Sequence, residues 1–166
     1  MDVIYNACPT MKLFHKDEHF VRGLMGPIGS GKSVACCIEM LCKGMIQEAD
    51  EDGYRKTRWA VVRNTYRELI DTTMQTFFDW IPKSTGIYRA GDMKFTFIQI
   101  LPDNTTVHIE FLFRALDKPD DIKKLLSLDL TGIWLNEGRE IPKAVLDMGI
   151  GRCGRYPKKE VAKGFM

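Results

Sequence analysis

The sequence has almost no excess charge of either sign, because 24 basic residues against 22 acidic ones give a formal net charge of +2. Dedicated nucleic-acid-binding domains carry a strong positive field, so any contact between this protein and a nucleic acid has to be local. The sequence also lacks a signal peptide and any apolar run long enough to cross a membrane. We therefore predict a cytosolic protein that has no membrane partner.

Cysteine is present but not in a pattern that suggests pairing. The five cysteines are an odd number and contain no Cys-x-x-Cys pair, and three of them (Cys36, Cys37 and Cys42) fall within one predicted helix. Neither a disulfide framework nor a zinc site is expected from this distribution. We expect small buried thiols in a reducing compartment.

Apolar residues make up 45% of the 166-residue chain, which is enough for one globular domain with its own core. In the first half, an apolar run at 20–25 predicts a strand, the spacing of apolar residues over 34–48 predicts a helix, and residues 58–63 predict a second strand. Thr65 and Glu68 form a capping-box pair, so a second helix should run from there to about Trp80. This order is typical of an α/β fold.

The second half interrupts that order with an antiparallel hairpin. Two alternating or aromatic-rich runs, 94–101 and 105–113, are separated by the turn-forming sequence Pro-Asp-Asn. A short helix near 122–126 and a buried strand at 130–135 follow. We therefore predict a mainly parallel sheet that is flanked by helices and contains an inserted antiparallel hairpin.

A phosphate-binding loop is predicted between the first strand and the first helix. The residues there read GPIGSGKS and fit the pattern G-x-x-x-x-G-K-[ST], which requires a strand before it and a helix after it. Glycines let backbone amides turn toward phosphate oxygens, and a helix N-terminus favours their negative charge. Lys32 should reach the β and γ oxygens, and Ser33 should bind Mg²⁺. The predicted phosphate site comprises Gly26, Pro27, Ile28, Gly29, Ser30, Gly31, Lys32 and Ser33.

The strand at 130–135 leads into Asn136 and Glu137, and open α/β sheets collect their ligand chemistry at such strand ends. A carboxylate there can orient and deprotonate a water that attacks the γ-phosphate. Glu137 is therefore the predicted catalytic residue, the alternative being an exposed acid at a helix start. Asn136 can accept a hydrogen bond from metal-bound water, although an amide adds no charge. Arg63, which closes the second strand, is either a nucleotide or DNA contact or a charged strand end.

Four stretches, taken in order, resemble the ATPase domain of the large terminase subunit, the motor that packages DNA into tailed-phage procapsids. They are GPIGSGKS, VVRNTYRELIDTT, TGIWLNEGREIP and GRCGRYP. The first is shared by all P-loop NTPases, and the ordered set is what points to terminases. The resemblance implies a P-loop ATPase of the additional-strand, RecA-like type, which binds ATP and Mg²⁺ and hydrolyses ATP to translocate double-stranded viral DNA.

The same resemblance implies roles for individual residues. Lys32 and Ser33 would bind phosphate and Mg²⁺, Asn136 stands in the Walker B aspartate position, and Glu137 would be the catalytic glutamate. Members of the family often carry an arginine inside the P-loop, and this chain does not, so an arginine acting in trans has to come from elsewhere. The candidates for that arginine are Arg114, Arg139, Arg152 and Arg155, and the candidates for base contacts are Phe14 and Arg22.

The resemblance also implies partners: the portal protein and procapsid, the small terminase subunit, and further copies of this chain in a homo-oligomeric ring. The ring would dock transiently on the portal in the host cytoplasm. The family's coupling motif and its nuclease domain have no counterpart up to Met166. We therefore interpret residues 1–166 as an incomplete ATPase domain, the N-terminal part of a terminase large subunit.

Two other classes of protein share the phosphate-binding loop. A small-molecule kinase would need a mobile, arginine-rich lid and an acceptor pocket, and an inserted hairpin is unusual in such kinases. A non-hydrolysing, nucleotide-gated assembly module is favoured by Asn136 and by the missing coupling motif. Phosphate release measured with and without an acceptor separates these two classes from an ATPase.

Asn136→Asp should strengthen the retention of Mg²⁺, because a carboxylate attracts the metal through its bound water and a neutral amide does not. A hydrogen bond to a charged group is worth about 1 kcal/mol more than a neutral one, so we expect the Mg²⁺ concentration for half-maximal ATPase activity to fall about fivefold. A magnesium titration with equal midpoints for the two proteins would mean that Asn136 does not face the metal.

Overall fold

The computed structural model describes residues 4–158. Its five strands form one sheet in the order β2-β3-β4-β1-β5, with β1 at Tyr54–Arg63, β2 at Gly86–Arg89, β3 at Lys94–Ile100, β4 at Thr106–Ala115 and β5 at Gly132–Leu135. β1 pairs in parallel with β4 and with β5, whereas β3 runs antiparallel to β2 and to β4. The predicted α/β class and the antiparallel hairpin are therefore confirmed.

Helices lie against both faces of this sheet. They are α1 (Pro9–Lys16), α2 (Lys32–Ile46), α3 (Tyr66–Glu68), α4 (Gln75–Trp80), α5 (Pro119–Leu126) and α6 (Lys143–Ile150). A π-helical segment, Leu69–Met74, joins α3 to α4, and the predicted cap starts this helix, since Glu68 N donates to Thr65 Oγ1 at 3.3 Å. Within residues 4–158, no helix is both long and apolar enough to span a membrane.

Two apolar clusters separate the helices from the sheet. On one face, Phe77 of α4 packs edge-on against Phe111 of β4, with ring centroids 4.7 Å apart, and Cys37 of α2 belongs to the same cluster. On the other face, Leu125 of α5 belongs to the cluster that contains Val62 of β1. The protein is therefore built in three layers, with the sheet in the middle.

The cysteines are all free. Cys37 is buried, and burial raises the pKa of the partly covered Cys36 to about 12 and that of Cys153 to about 11. The expectation of buried thiols is wrong for Cys8 and Cys42, which are exposed. Cys8 directly precedes α1 and Cys42 lies in α2, and both face solvent. The spacing of apolar residues in the sequence does not predict how buried these two positions are.

Residues 20–25 do not form the predicted strand. Their backbone is irregular, and Phe20, Val21 and Met25 expose 68%, 54% and 98% of their surface. A strand needs a neighbour that exchanges backbone hydrogen bonds with it, and none of the five strands within the described residues pairs with this segment. The helix expected after the loop is present, but the strand expected before it is a wrong prediction, so the loop meets one of the two structural requirements of its motif.

Cross-strand pairing also produces structure that the sequence pattern does not predict. β1 begins at Tyr54 rather than at residue 58, because its first residues pair with the start of β4. β2 is a short strand that pairs with β3 and extends the hairpin into a third antiparallel strand. The extension of β1 depends on a neighbour that is distant in sequence, whereas β2 and β3 form a hairpin through the short turn between residues 89 and 94.

The direction of α2 follows from the contacts at its end. Gly44, near the C-terminus of α2, packs on Ile109 and Thr57 in the first halves of β4 and β1, and Arg55 Nη1 donates to the carbonyl of Gln47 at 2.8 Å. The helix therefore runs antiparallel to β1. From Gly44 back to Lys32 the helix spans about 18 Å, and from Thr57 to Arg63 the strand spans about 20 Å. The N-terminus of α2 therefore lies toward the C-terminal edge of the sheet.

Gly44→Ala should loosen α2 from the sheet. A Cβ at position 44 would lie 2.6 Å from Ile109 Cγ1 and closer still to Ile109 Cδ1, and this overpacking should outweigh the gain in helix propensity of about 1 kcal/mol. We expect a net loss of about 1–2 kcal/mol in the free energy of unfolding, measured by urea denaturation. Gly23→Ala is the control, since no atom lies within 4 Å of a Cβ there. A Gly44→Ala protein as stable as wild type would contradict the close seating of α2.

Candidate functional site

The predicted phosphate-binding loop is an exposed turn at the start of α2. Gly29 and Gly31 have φ angles of 77° and 81°, in the left-handed region that residues with a Cβ seldom adopt. Gly31 is the N-cap of α2, so the unpaired amides of the first helical turn adjoin the loop. Because residues 26–29 are exposed, the loop offers accessible backbone donors of the kind that bind anions.

Lys32 holds this loop together. Its Nζ donates to the carbonyls of Gly26 at 2.9 Å and Pro27 at 2.8 Å, and to Ser30 Oγ at 3.4 Å. An ammonium group has three donors, and this arrangement uses all three. A phosphate oxygen would have to replace one of these acceptors, and the longest contact, to Ser30, is the easiest to exchange.

The end of β5 lies beside the end of β1. Asn136 N donates to the carbonyl of Val62 at 2.9 Å. Glu137 follows with a φ of 53°, a left-handed conformation that is uncommon outside glycine and costs on the order of 1 kcal/mol. Glu137 is exposed, and its carboxylate forms no ion pair with any residue between 4 and 158. The carboxylate is therefore available to a ligand or to water.

The side chain of Asn136 points to the helix that follows β1. Its Nδ2 donates to Thr73 Oγ1 at 2.8 Å, and Thr73 is buried, with 1% of its surface exposed. Sequence reasoning missed Thr73, because no local pattern connects two residues that are 63 positions apart. The one signal in the sequence is a polar residue among the apolar residues on the buried side of this helix.

Arg63 lies next to Asn136 and is 7% exposed. Its Nη1 is 3.5 Å from the carbonyl of Asn136 and 3.4 Å from Glu140, and its Nη2 is 3.4 Å from Glu68. These contacts are long, and the buried Nε has no hydrogen-bond partner among residues 4–158. The guanidinium is therefore loosely held at the strand ends, with little of its surface exposed.

The four candidate arginines lie in different places. Arg114 donates to the carbonyls of Asp92, Met93 and Phe113, and burial lowers its pKa. Arg139 is exposed, in the 3₁₀ turn Gly138–Glu140 directly after Glu137.

Arg152 and Arg155 exchange backbone hydrogen bonds with Leu130, just before β5 begins. They therefore lie at the opposite end of β5 from Glu137. Of the four candidates, Arg139 is the one that the backbone holds next to the predicted catalytic residue.

The segment that leads into the loop is anchored to α2 by a buried carboxylate. Glu39 of α2 is 5% exposed and accepts hydrogen bonds from Arg22 Nη1 at 2.7 Å and from His15 of α1 at 2.6 Å. Arg22 Nη1 also donates to the carbonyls of Phe14 and Asp17. Arg22 and Phe14, the candidates for base contacts, are therefore engaged with each other and with α1 in this structure.

The fold brings the loop and the end of β5 to one edge of the sheet. α2 runs antiparallel to β1 and packs on the face that carries Trp134 of β5, which is also the face from which Asn136 contacts Thr73. Lys32 begins α2, and Asn136 and Glu137 follow β5. The predicted phosphate-binding loop and a carboxylate thus lie toward the C-terminal edge, where α/β sheets bind ligands.

Comparisons with known proteins support the fold. No protein-family model matches the sequence, and no curated protein matches it significantly. The structure is similar to that of the large terminase from a thermophilic bacteriophage, with a TM-score of 0.59 and 13% sequence identity. The similarity covers 78% of this chain and 30% of the terminase chain. At this identity the comparison establishes a terminase-like fold.

Arg22→Met should release the segment that leads into the loop. The substitution removes three hydrogen bonds and leaves the buried Glu39 with fewer cations, so we expect a loss of about 2–3 kcal/mol in the free energy of unfolding and faster amide hydrogen exchange over residues 17–31. Lys12→Met is the matched control, because Lys12 is exposed on α1. Equal stability and equal exchange in the two variants would show that Glu39 does not anchor the segment.

Proposed function

We propose that this protein is a magnesium-dependent ATPase of the large-terminase type, which uses ATP to move double-stranded viral DNA into a procapsid. One observation carries the proposal. The loop GPIGSGKS starts α2 at the same sheet edge where β5 leads into Asn136 and Glu137, within a fold similar to that of a large terminase. Nucleotide hydrolysis requires a phosphate cradle and a water-orienting group in one place.

The residues at this edge are suited to bind a nucleoside triphosphate together with Mg²⁺. Gly29 and Gly31 leave two loop positions without a Cβ, and the first turn of α2 contains no acidic residue. The donors of Lys32 are held by exchangeable loop acceptors. Ser33 would bind the metal directly and Asn136 would bind it through water. The bound metal would supply charge neutralisation at the phosphates.

The protein's own residues divide the work. Lys32 would hold the terminal phosphates by exchanging its contact with Ser30 for a charged oxygen, which makes a stronger hydrogen bond. Glu137 would orient a water and accept its proton, since its carboxylate is exposed and forms no ion pair within residues 4–158. Arg63 would lie beside Asn136, where its Nε–H, which has no partner among residues 4–158, can donate to a negatively charged neighbour.

The proposed partners follow from the proposed activity. They are double-stranded viral DNA, the portal protein and procapsid, the small terminase subunit, and further copies of this chain in a ring, in the host cytoplasm. Arg139 is exposed beside Glu137, so in a ring it would be the best situated of the four candidate arginines to interact across a subunit boundary. The net charge of +2 gives no general attraction to DNA, so the contact has to depend on local groups.

A non-hydrolysing, nucleotide-gated assembly module is the second candidate function. The observation that favours it is the neutral amide of Asn136, which is hydrogen-bonded to Thr73 in the position where a metal-binding carboxylate would give stronger retention of Mg²⁺. Phosphate release from ATP separates the two candidates, because the module would bind ATP without releasing phosphate.

Lys32→Ala and Glu137→Gln should produce separate defects. Lys32 contributes charge to nucleotide binding, whereas Glu137 acts on water alone. We therefore expect Lys32→Ala to weaken the binding of a fluorescent ATP analogue about 10- to 100-fold. Glu137→Gln should leave that affinity unchanged and lower the rate of hydrolysis about 100-fold or more.

Lys12→Ala and Glu51→Gln are the matched controls, since both residues are exposed and lie outside the loop in the sequence. Both controls should bind and hydrolyse ATP as wild type does. An equal loss of affinity in Lys32→Ala and Glu137→Gln would refute the assignment of Glu137 as the water-activating residue.

A further inference from the structure

The hydrogen bond between Asn136 and Thr73 connects the end of β5 to the π-helical segment after β1. We infer that Thr73 is a positioning residue, whose hydroxyl fixes the orientation of the Asn136 amide so that the amide oxygen remains the available acceptor. This inference rests on the proposed function, because a Mg²⁺–nucleotide site is what gives that oxygen a partner, a metal-bound water.

Thr73 is a polar residue in a buried position, so its hydroxyl needs a hydrogen-bond partner. The helix from Tyr66 to Trp80 buries four residues, and the other three (Leu69, Met74 and Phe77) are apolar. A hydroxyl without a partner in such a place costs about 1–3 kcal/mol, and valine would have the same shape without that cost. Asn136 Nδ2 at 2.8 Å supplies the partner. The choice of threonine is therefore explained by Asn136 and not by packing.

The π-helical segment widens the buried side of the helix. Leu69 and Met74 are separated by the five residues of a π turn, and both Thr73 and Met74 are buried. Met74 packs in the apolar cluster on that face of the sheet. Its neighbour Thr73 contacts Asn136 at the end of β5. Segments of π-helix are frequent at functional sites.

An asparagine in this position needs its orientation fixed. A carboxylate presents an oxygen on both branches, whereas an amide presents an oxygen on one branch and an NH₂ donor on the other. Mg²⁺ and its bound water require oxygen acceptors, so the amide is useful in one of its two orientations. A hydroxyl can accept from Nδ2 or donate to Oδ1, and donation from Nδ2 to Thr73 is the arrangement that leaves Oδ1 free for a metal-bound water. Thr73 and that water together therefore hold the amide in the useful orientation.

The backbone of Asn136 is fixed independently of Thr73. Asn136 N donates to Val62 at 2.9 Å, and the carbonyl of Asn136 lies 3.5 Å from Arg63 Nη1. β1 therefore determines where Asn136 lies, and Thr73 determines which way its amide faces. Removing the Thr73 hydroxyl should consequently affect metal binding without displacing the strand.

The test is a Mg²⁺ titration of nucleotide binding, read with a fluorescent ATP analogue on the full chain, for wild type, Thr73→Val and Thr73→Ser. We expect Thr73→Val to raise the Mg²⁺ midpoint about threefold to tenfold, the equivalent of one neutral hydrogen bond. Thr73→Ser, which keeps the hydroxyl, should stay near the wild-type midpoint. Nucleotide affinity without metal should be the same in all three proteins.

The decisive comparison repeats Thr73→Val in an Asn136→Asp background. Because a carboxylate has oxygen on both branches, the valine should no longer raise the midpoint there, whereas a merely structural effect of Thr73→Val would persist. If Thr73→Val does not fold, Thr73→Ala enters the same four-protein comparison.

An unchanged midpoint in Thr73→Val, or an equal rise in both backgrounds, would overturn the positioning role while leaving the proposed function intact. The proposed function fails on wild type alone, if Mg²⁺ has no effect on nucleotide binding by the unmodified protein. In that case the positioning role fails as well. Failure of the proposed function is seen in wild type, whereas failure of the positioning role alone is seen only in the Thr73 variants.

Discussion

The parallel pairing of β1 on both of its sides is the interaction on which the rest of the structure depends. All ten residues of β1 pair with β4, and four of them also pair with β5. Val61 belongs to one apolar cluster and Val62 to the other, so the helices of both layers are seated on this strand. The register also places Leu135 opposite Val62, which brings Asn136 and Glu137 to the edge that α2 approaches.

Buried charged groups join segments that lie far apart in the sequence. Glu39 connects α2 to Arg22, and Glu110 of β4 accepts hydrogen bonds from Arg58 of β1 and Lys94 of β3. Burial by itself would raise the pKa of Glu110, but the two cations hold it below its ordinary value. Such pairs add little stability over apolar packing, but breaking one leaves an unpaired buried charge. They therefore favour this arrangement of segments over alternatives.

The similarity to a large terminase and the loop motif carry different information. The motif needs eight residues, whereas the fold similarity extends over 78% of the chain at 13% identity. Core packing tolerates extensive apolar substitution when the pattern is kept, so a fold can persist while its sequence diverges. The proposed chemistry would be less tolerant, since it would depend on Lys32, Ser33 and Glu137 individually, and the proposed activity is therefore argued from those residues.

The sequence by itself determined the elements whose signals are local. The apolar residues identified α2 and the C-terminal end of β5, the capping pair identified the helix after β1, and the turn sequence identified the hairpin. The loop motif likewise lies within one short stretch. Only the tertiary structure decided that residues 20–25 form no strand, that Thr73 contacts Asn136, and that Arg63 lies buried beside them. A strand and a side-chain hydrogen bond both require a partner, and the partner's position is set by the pairing of the sheet, which a local pattern does not contain.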